Sequence, residues 1–136
     1  MGYSTYFDGS FNLSRKLTVS ELDTLQTLNA WDKDNPEDAP DGPCDWVVDE
    51  DKEGNPYLRH NYEEKFRDWD EWTHYLAKLF SSWGVQMNGR MAWQGEDTGD
   101  MGMIFVKDNQ IRMVSISELA EFMEDNCDDL YEGDDA

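Results

Sequence analysis

The residues from Asn61 to Asp97 constrain the fold more than any other stretch, because two different hydrophobic periods follow one another there with a glycine between them. Phe66, Trp69, Trp72, Leu76, Leu79, Phe80 and Trp83 recur at steps of three and four, the spacing that lines side chains along one face of a helix. Arg67, Asp70, Glu71, His74, Lys78 and Ser81 fall on the other side. Asn61 is a good N-cap, and Glu64 stands where a capping-box carboxylate reaches back to it, so the pattern predicts a helix from Tyr62. Gly84 suits the left-handed position that ends such a helix. Val85, Met87, Gly89, Met91 and Trp93 then alternate with polar or small neighbours, as in a half-buried strand. Asn88-Gly89 is also a type I′ turn sequence. The alternation keeps its phase across the pair, which favours one continuous strand with a bulge or a close approach at Gly89.

The flanking segments supply more elements of the same kinds. Tyr3 to Leu13 alternates loosely and reads as a first strand bent or broken at Asp8-Gly9-Ser10. Thr18 with Glu21 forms a capping box, and Leu17 with Leu22 a hydrophobic staple, so Val19 to Ala30 is expected to be helical. The turn formers and charges of residues 31–43 describe a surface loop. Asp45 to Glu50 and Tyr57 to His60 read as a hairpin across Asp51 to Pro56. A second hairpin pairs Met101 to Val106 with Ile111 to Ile116 around Lys107-Asp108-Asn109-Gln110. Ser115 and Glu118 open a C-terminal helix whose inner face is Leu119, Phe122, Met123 and Leu130, and residues 132–136 form a fraying acidic tail. The expected fold is α+β: one domain over residues 1–131, an antiparallel sheet of about five to six strands with two to three helices on one face.

Charge bounds the function. With 31 acidic against 11 basic residues the formal charge is -20, which repels nucleic acid and anionic membranes and calls for a basic partner or cations. Direct nucleic-acid and membrane binding are therefore not expected. Cys44 and Cys127 are the two cysteines, Met1-Gly2-Tyr3-Ser4-Thr5 has no cationic-then-apolar leader, and no apolar run reaches membrane length. Reduced thiols in a cytoplasmic protein follow as an expectation.

The charge is patterned as well as large. Glu118, Glu121, Asp125, Asp128 and Glu132 follow at steps of three and four, which aligns them on one helical face with Cβ atoms about 5–6 Å apart. Such a row approaches the charge spacing of a nucleic-acid strand, roughly one per 3.4 Å, and fits a groove built for phosphates. The plainer reading of the row is a solvated face that keeps the protein soluble. Asp49, Asp51 and Glu53 match the opening of a calcium loop, but its twelfth position is His60 and Pro56 interrupts it, so a hairpin turn is the stronger reading. Glu96, Asp97 and Asp100 among Gly95, Gly99 and Gly102 form a second acidic loop with oxygen ligands for a cation but no defined spacing. His60 and His74 are the only histidines, no nucleophile or phosphate-loop motif is present, and Glu96-Asp97 adjacency is expected by chance among so many acids. No catalytic residues, metal or cofactor are assigned, and no enzyme is expected. Trp31, Trp69 and Trp72 would matter to a partner only if they formed a surface patch.

Three segments together resemble a family of small uncharacterised proteins from bacteriophages and bacteria. They are Met1 to Gly9, Glu64-Lys65-Phe66 with Glu71-Trp72 and Tyr75-Leu76, and Trp83-Gly84 through Asn88-Gly89 and Trp93-Gln94-Gly95-Glu96-Asp97 to Val106-Lys107-Asp108-Asn109. The family has no known activity, so the resemblance carries no site residues. It implies a phage or prophage context, and with it a small protein acting on host machinery. The leading expectation is an acidic DNA mimic that inhibits a basic host or defence protein such as a restriction, CRISPR or repair enzyme. An interaction or assembly module whose acidity serves solubility, and a divalent-cation-binding protein, are the alternatives.

Overall fold

Two glycines let the two longest strands of this protein pair without interruption. In the computed structural model, which describes residues 3–30, 36–40, 42–63, 66 and 68–118, β1 (Thr5–Leu13) lies antiparallel to β4 (Met87–Gly95) in a continuous register from Thr5↔Gly95 to Leu13↔Met87. Gly9 has φ 122° and Gly89 has φ 148°. A Cβ on Gly9 would lie 2.7 Å from the Arg90 carbonyl oxygen, and one on Gly89 would lie 2.8 Å from that of Ser10. Each glycine therefore admits the facing backbone at a distance no other residue allows. The constant register means that Gly89 marks a close approach and not a bulge or a hairpin turn. For the same reason β1 is not broken at Asp8-Gly9-Ser10, a correction to the expected kink.

The remaining strands are added on either side of this pair. On one side β3 (Pro56–His60) joins β1 through Phe11↔Leu58, and β2 (Trp46–Glu50) closes a hairpin from Trp46↔His60 to Glu50↔Pro56. On the other side β5 (Met101–Lys107) and β6 (Gln110–Ser115) complete a meander. The sheet order is β2-β3-β1-β4-β5-β6, antiparallel throughout. Asp108 and Asn109 have φ 48° and 68°, the two left-handed residues of a type I′ turn. The Asn109 side chain accepts from Met87 N–H at 2.6 Å and donates to the Val85 carbonyl at 2.8 Å, fixing this turn to the start of β4.

Among the described residues, two long helices pack on one face of the sheet. α1 (Val19–Asn29) has the expected capping box, with the Thr18 hydroxyl accepting from Glu21 N–H and Glu21 accepting from Thr18 N–H. Arg15 holds Glu21 in a two-point bond of 2.7 and 2.9 Å and also donates to the Trp83 carbonyl, tying the start of α1 to the end of the second helix. That helix, α2 (Trp69–Ser82), connects β3 to β4 across the intervening β1, so β3 and β4 run parallel on either side of it. Trp72, Leu76, Ala77 and Phe80 are its buried side, and Asp70, Glu71, His74, Lys78 and Ser81 are exposed. Val85 N–H bonds the Phe80 carbonyl and Gly84 N–H that of Ser81, with Gly84 at φ 73°: a Schellman ending.

The start of α2 is later than the periodicity predicts. Asn61 does not cap a helix: its side-chain oxygen accepts from Glu63 N–H, its amide donates to Asp45, and Tyr62 takes φ 71°. The chain turns there, and Asp68, itself left-handed at φ 57°, precedes Trp69. Phe66 is still buried, 3% exposed, so the aromatic spacing extended past the helix into the segment that leads to it. The helices share one core with Phe11, Leu58, Met91 and Ile104 of the sheet. The described residues thus form an α+β protein built on one antiparallel six-stranded sheet.

Replacing Gly89 by alanine forces a Cβ against Ser10 and is expected to cost about 2 kcal/mol or more. Urea unfolding measures it, and an unchanged midpoint would contradict the close approach.

Candidate functional site

Carboxylates are the sequence's main functional signal, and the structure separates those with internal partners from those without. Of the helical stripe, Glu118 is exposed, with its N–H bonded to the Ser115 hydroxyl at 3.2 Å as a first helical turn requires. Glu121, Asp125, Asp128 and Glu132 lie outside the described residues. The other six candidates do not form one patch. Asp49, Asp51 and Glu53 sit in and beside the β2–β3 turn, near the Leu13 end of β1, whereas Glu96, Asp97 and Asp100 follow β4 at the Thr5 end. The two groups are at opposite ends of the sheet.

Within the first group, Asp51 accepts from the N–H groups of Glu53 and Asn55 and from the Asn55 side chain. Those bonds, led by Asn55 N–H, pull its carboxyl below the usual range. Asp49 is likewise lowered, first by Glu50 N–H and then by Arg59, whose Nε is 3.0 Å away. These are the bonds of a closed hairpin turn, and they occupy the oxygens a calcium loop would offer. Glu53 is exposed.

The second group stitches the N-terminal segment to the sheet. Asp100 accepts from the Tyr3 hydroxyl at 2.7 Å and from the Trp93 indole at 3.1 Å, while Glu96 accepts from Ser4 N–H at 2.9 Å. Asp97 N–H donates back to the Tyr3 oxygen. The Asp100 bond raises the Tyr3 phenol. A Cβ at Gly95 would overlap the Asp100 carboxylate and the Tyr3 hydroxyl, so the Trp93-Gln94-Gly95-Glu96-Asp97 run needs its glycine for this lock. Among the described residues no three His, Cys, Asp or Glu side chains come together to hold a metal ion.

The described tryptophans pack in or against the core. Trp72 is fully buried and Trp69 packs on Phe7 and Trp93, so neither forms a surface patch, and Trp31 lies outside the described residues. His60 belongs to the same aromatic cluster, stacked on Phe66 at 5.7 Å and tilted against Phe7 at 4.8 Å. Its Nε2 is buried and finds no hydrogen-bond partner among the described residues. Burial, then the charge of Arg59, pushes this imidazole down to about 4. His74 is exposed on α2. Cys44 is buried against the Trp46 carbonyl, and burial pushes its thiol up to about 12, which keeps it unreactive.

One surface escaped the sequence reading. Opposite the helices, Tyr6, Ala92, Met101, Met103, Val114 and Ile116 line a groove of about 510 Å³ on the other face of the sheet. Tyr6 is 58% exposed, Phe105 41% and Ile116 39%. Arg90, Phe105 and Arg112 form one cross-strand row at its border. Its signal was present in β5, where Met101, Met103 and Phe105 alternate with Gly102, Ile104 and Val106, so both faces of the strand are apolar or small.

No family model, curated protein or solved structure matches this chain. No described helix is long and apolar enough to cross a membrane.

Asp100→Ala removes the acceptor for two side chains at once and is expected to cost about 1–3 kcal/mol by urea unfolding; no loss would contradict the lock. The His60 depression has a definite sign. Protonation favours the unfolded chain, so the stability His60 contributes is full above 6.5 and is lost as pH falls from there through about 4. That shift corresponds to about 3 kcal/mol. His60→Phe keeps the ring packing and is expected to abolish this part of the acid sensitivity, while the opposite contribution of Asp45, raised by burial, is common to both proteins. Parallel stability profiles for the two proteins from pH 7 to 4 would contradict it.

Proposed function

We propose that this protein is an acidic inhibitor that binds a basic nucleic-acid-handling protein by presenting carboxylates where that protein expects phosphates. The observation that carries the reading is the formal charge of -20 together with its placement in the sequence, where the last segment bears Glu118, Glu121, Asp125, Asp128 and Glu132 at helical spacing. One feature supports it. Asp45 is the one buried carboxylate among the described residues, so the charge is directed to the surface. Asp49, Asp51, Glu96 and Asp100 are tied down at turns and Glu21 at the start of α1, so these acids serve the fold and are set apart from the reading. A restriction, CRISPR or repair enzyme of a bacterial host is the partner class that the phage-like resemblance adds to this chemistry.

The alternatives draw less support. A cation-binding protein would need oxygens that Asp51 and Asp100 have committed to internal donors. An interaction module reading the partner through tryptophans loses Trp69 and Trp72 to the core.

Affinity capture from a bacterial lysate at low salt, eluted with a salt gradient beside a charge-matched acidic control, tests the reading. A nucleic-acid enzyme that elutes later than from the control, and that nucleic acid displaces, is the expected result. Changing Glu121, Asp125 and Asp128 to their amides is expected to weaken binding roughly tenfold, the sum of three exposed pairs of about 0.5 kcal/mol each. Affinity unchanged at low salt would remove the row from the mechanism.

A further inference from the structure

Three cations meet in one hollow of this acidic protein, and no carboxylate lines it. On the sheet face opposite α1 and α2, Phe105 is the cross-strand neighbour of both Arg90 on β4 and Arg112 on β6, so the register sets an arginine on either side of it. Lys107 points to the same face two residues further along β5, opposite Gln110. These five residues and Asn88 line most of a hollow of about 710 Å³. In a chain of 31 acidic and 11 basic residues, such a lining is not what composition alone would produce. Of the described arginines, Arg15 and Arg59 hold Glu21 and Asp49. Arg90, Lys107 and Arg112 are exposed and make no salt bridge among the described residues. We propose that this hollow binds a phosphate dianion, free or as the terminal phosphate of a small ester.

The spacing suits one anion. Neighbouring strands lie about 4.8 Å apart, so Arg90 and Arg112 are roughly 10 Å apart at Cα, and Lys107 is about 7 Å along the strand from Phe105. Side chains of their length reach a common point above Phe105, which is 41% exposed. A guanidinium fork matches phosphate oxygens in pairs and a lysine adds a point charge, so three cations suit a dianion better than a single carboxylate. Amides add donors at the edge: the Asn88 side-chain oxygen accepts from Asp108 N–H at 2.9 Å, which leaves its nitrogen to donate, and Gln110 is exposed. The acids of the protein set the size of the ligand. At about 0.15 M salt the Debye length is about 8 Å, so the hollow's own lining outweighs remote carboxylates. Asp8 in the adjoining groove and Asp108 beside Lys107 are close enough to repel a longer polyanion, which restricts the ligand to a single phosphate group. This site goes beyond the inhibitor reading and does not depend on it.

Amide NMR on the full chain, titrated in turn with inorganic phosphate, glycerol phosphate and acetate at about 0.15 M salt, tests the proposal. A pH of roughly 7.5 keeps the phosphate group dianionic, since its second pKa is about 6. The expected result is saturable shifts confined to Asn88–Arg90, Phe105–Lys107 and Gln110–Arg112. Saturation with inorganic phosphate assigns the free ion, and saturation with glycerol phosphate alone assigns an ester; both support the site. Saturation with neither, or equal shifts with acetate, would overturn it. Arg90→Gln with Arg112→Gln is expected to weaken binding about tenfold or more while the amides of α1 and α2 stay in place, because both side chains are exposed. Lys52→Gln with Lys78→Gln removes the same charge from exposed positions on the β2–β3 turn and on α2, and is expected to leave the affinity unchanged. Equal weakening by the two double variants would overturn the site by reducing it to net charge.

Discussion

The close pairing of β1 with β4 is the constraint from which the rest of the architecture follows. Gly9 and Gly89 face the opposite backbone at separations that exclude a Cβ, and the register they permit runs the full length of both strands. That seam puts residues from the start and the far half of the chain at the centre of the sheet, with the β2–β3 hairpin on one side and the β4–β5–β6 meander on the other. It also fixes the path of α2, which must cross β1 to carry the chain from β3 to β4. Phe7 and Trp93, opposite each other in the register, then support the aromatic cluster of Trp46, His60, Phe66 and Trp69.

Elements whose signals are local were legible in the sequence. The capping box of α1, the Gly84 stop, both hairpins and the Asp108-Asn109 turn depend on a few neighbouring residues, and each is where the pattern put it. The errors share a cause. Gly9 carried the mark of a kink, but a glycine that admits a distant backbone has the same local signature. The aromatic spacing from Phe66 to Trp83 was read as one helix, although Phe66 reaches the same core from a position before α2 starts. Periodicity reports which side chains go inward and does not report where the backbone stops being helical.

The candidate site was legible in part for a related reason. A sequence shows how many carboxylates there are, not which of them accept internal hydrogen bonds. Asp100 and Glu96 looked like free ligands and are the clasp that holds Tyr3 and Ser4. Asp51 matched the opening of a calcium loop, but the hairpin turn was the stronger reading, and Asp51 closes that turn. What the described fold leaves unassigned is an apolar face of the sheet, lined by Tyr6, Ala92, Met101, Met103 and Val114.

The claim that carboxylates stand in for phosphates is tested most directly by competition. A captured nucleic-acid enzyme is assayed for DNA binding with increasing amounts of this protein across a range of salt concentrations. The account predicts inhibition competitive with DNA, with an inhibition constant that weakens steeply as salt rises, because both ligands meet the same cations. Inhibition that is noncompetitive, or that does not change with salt, would contradict it.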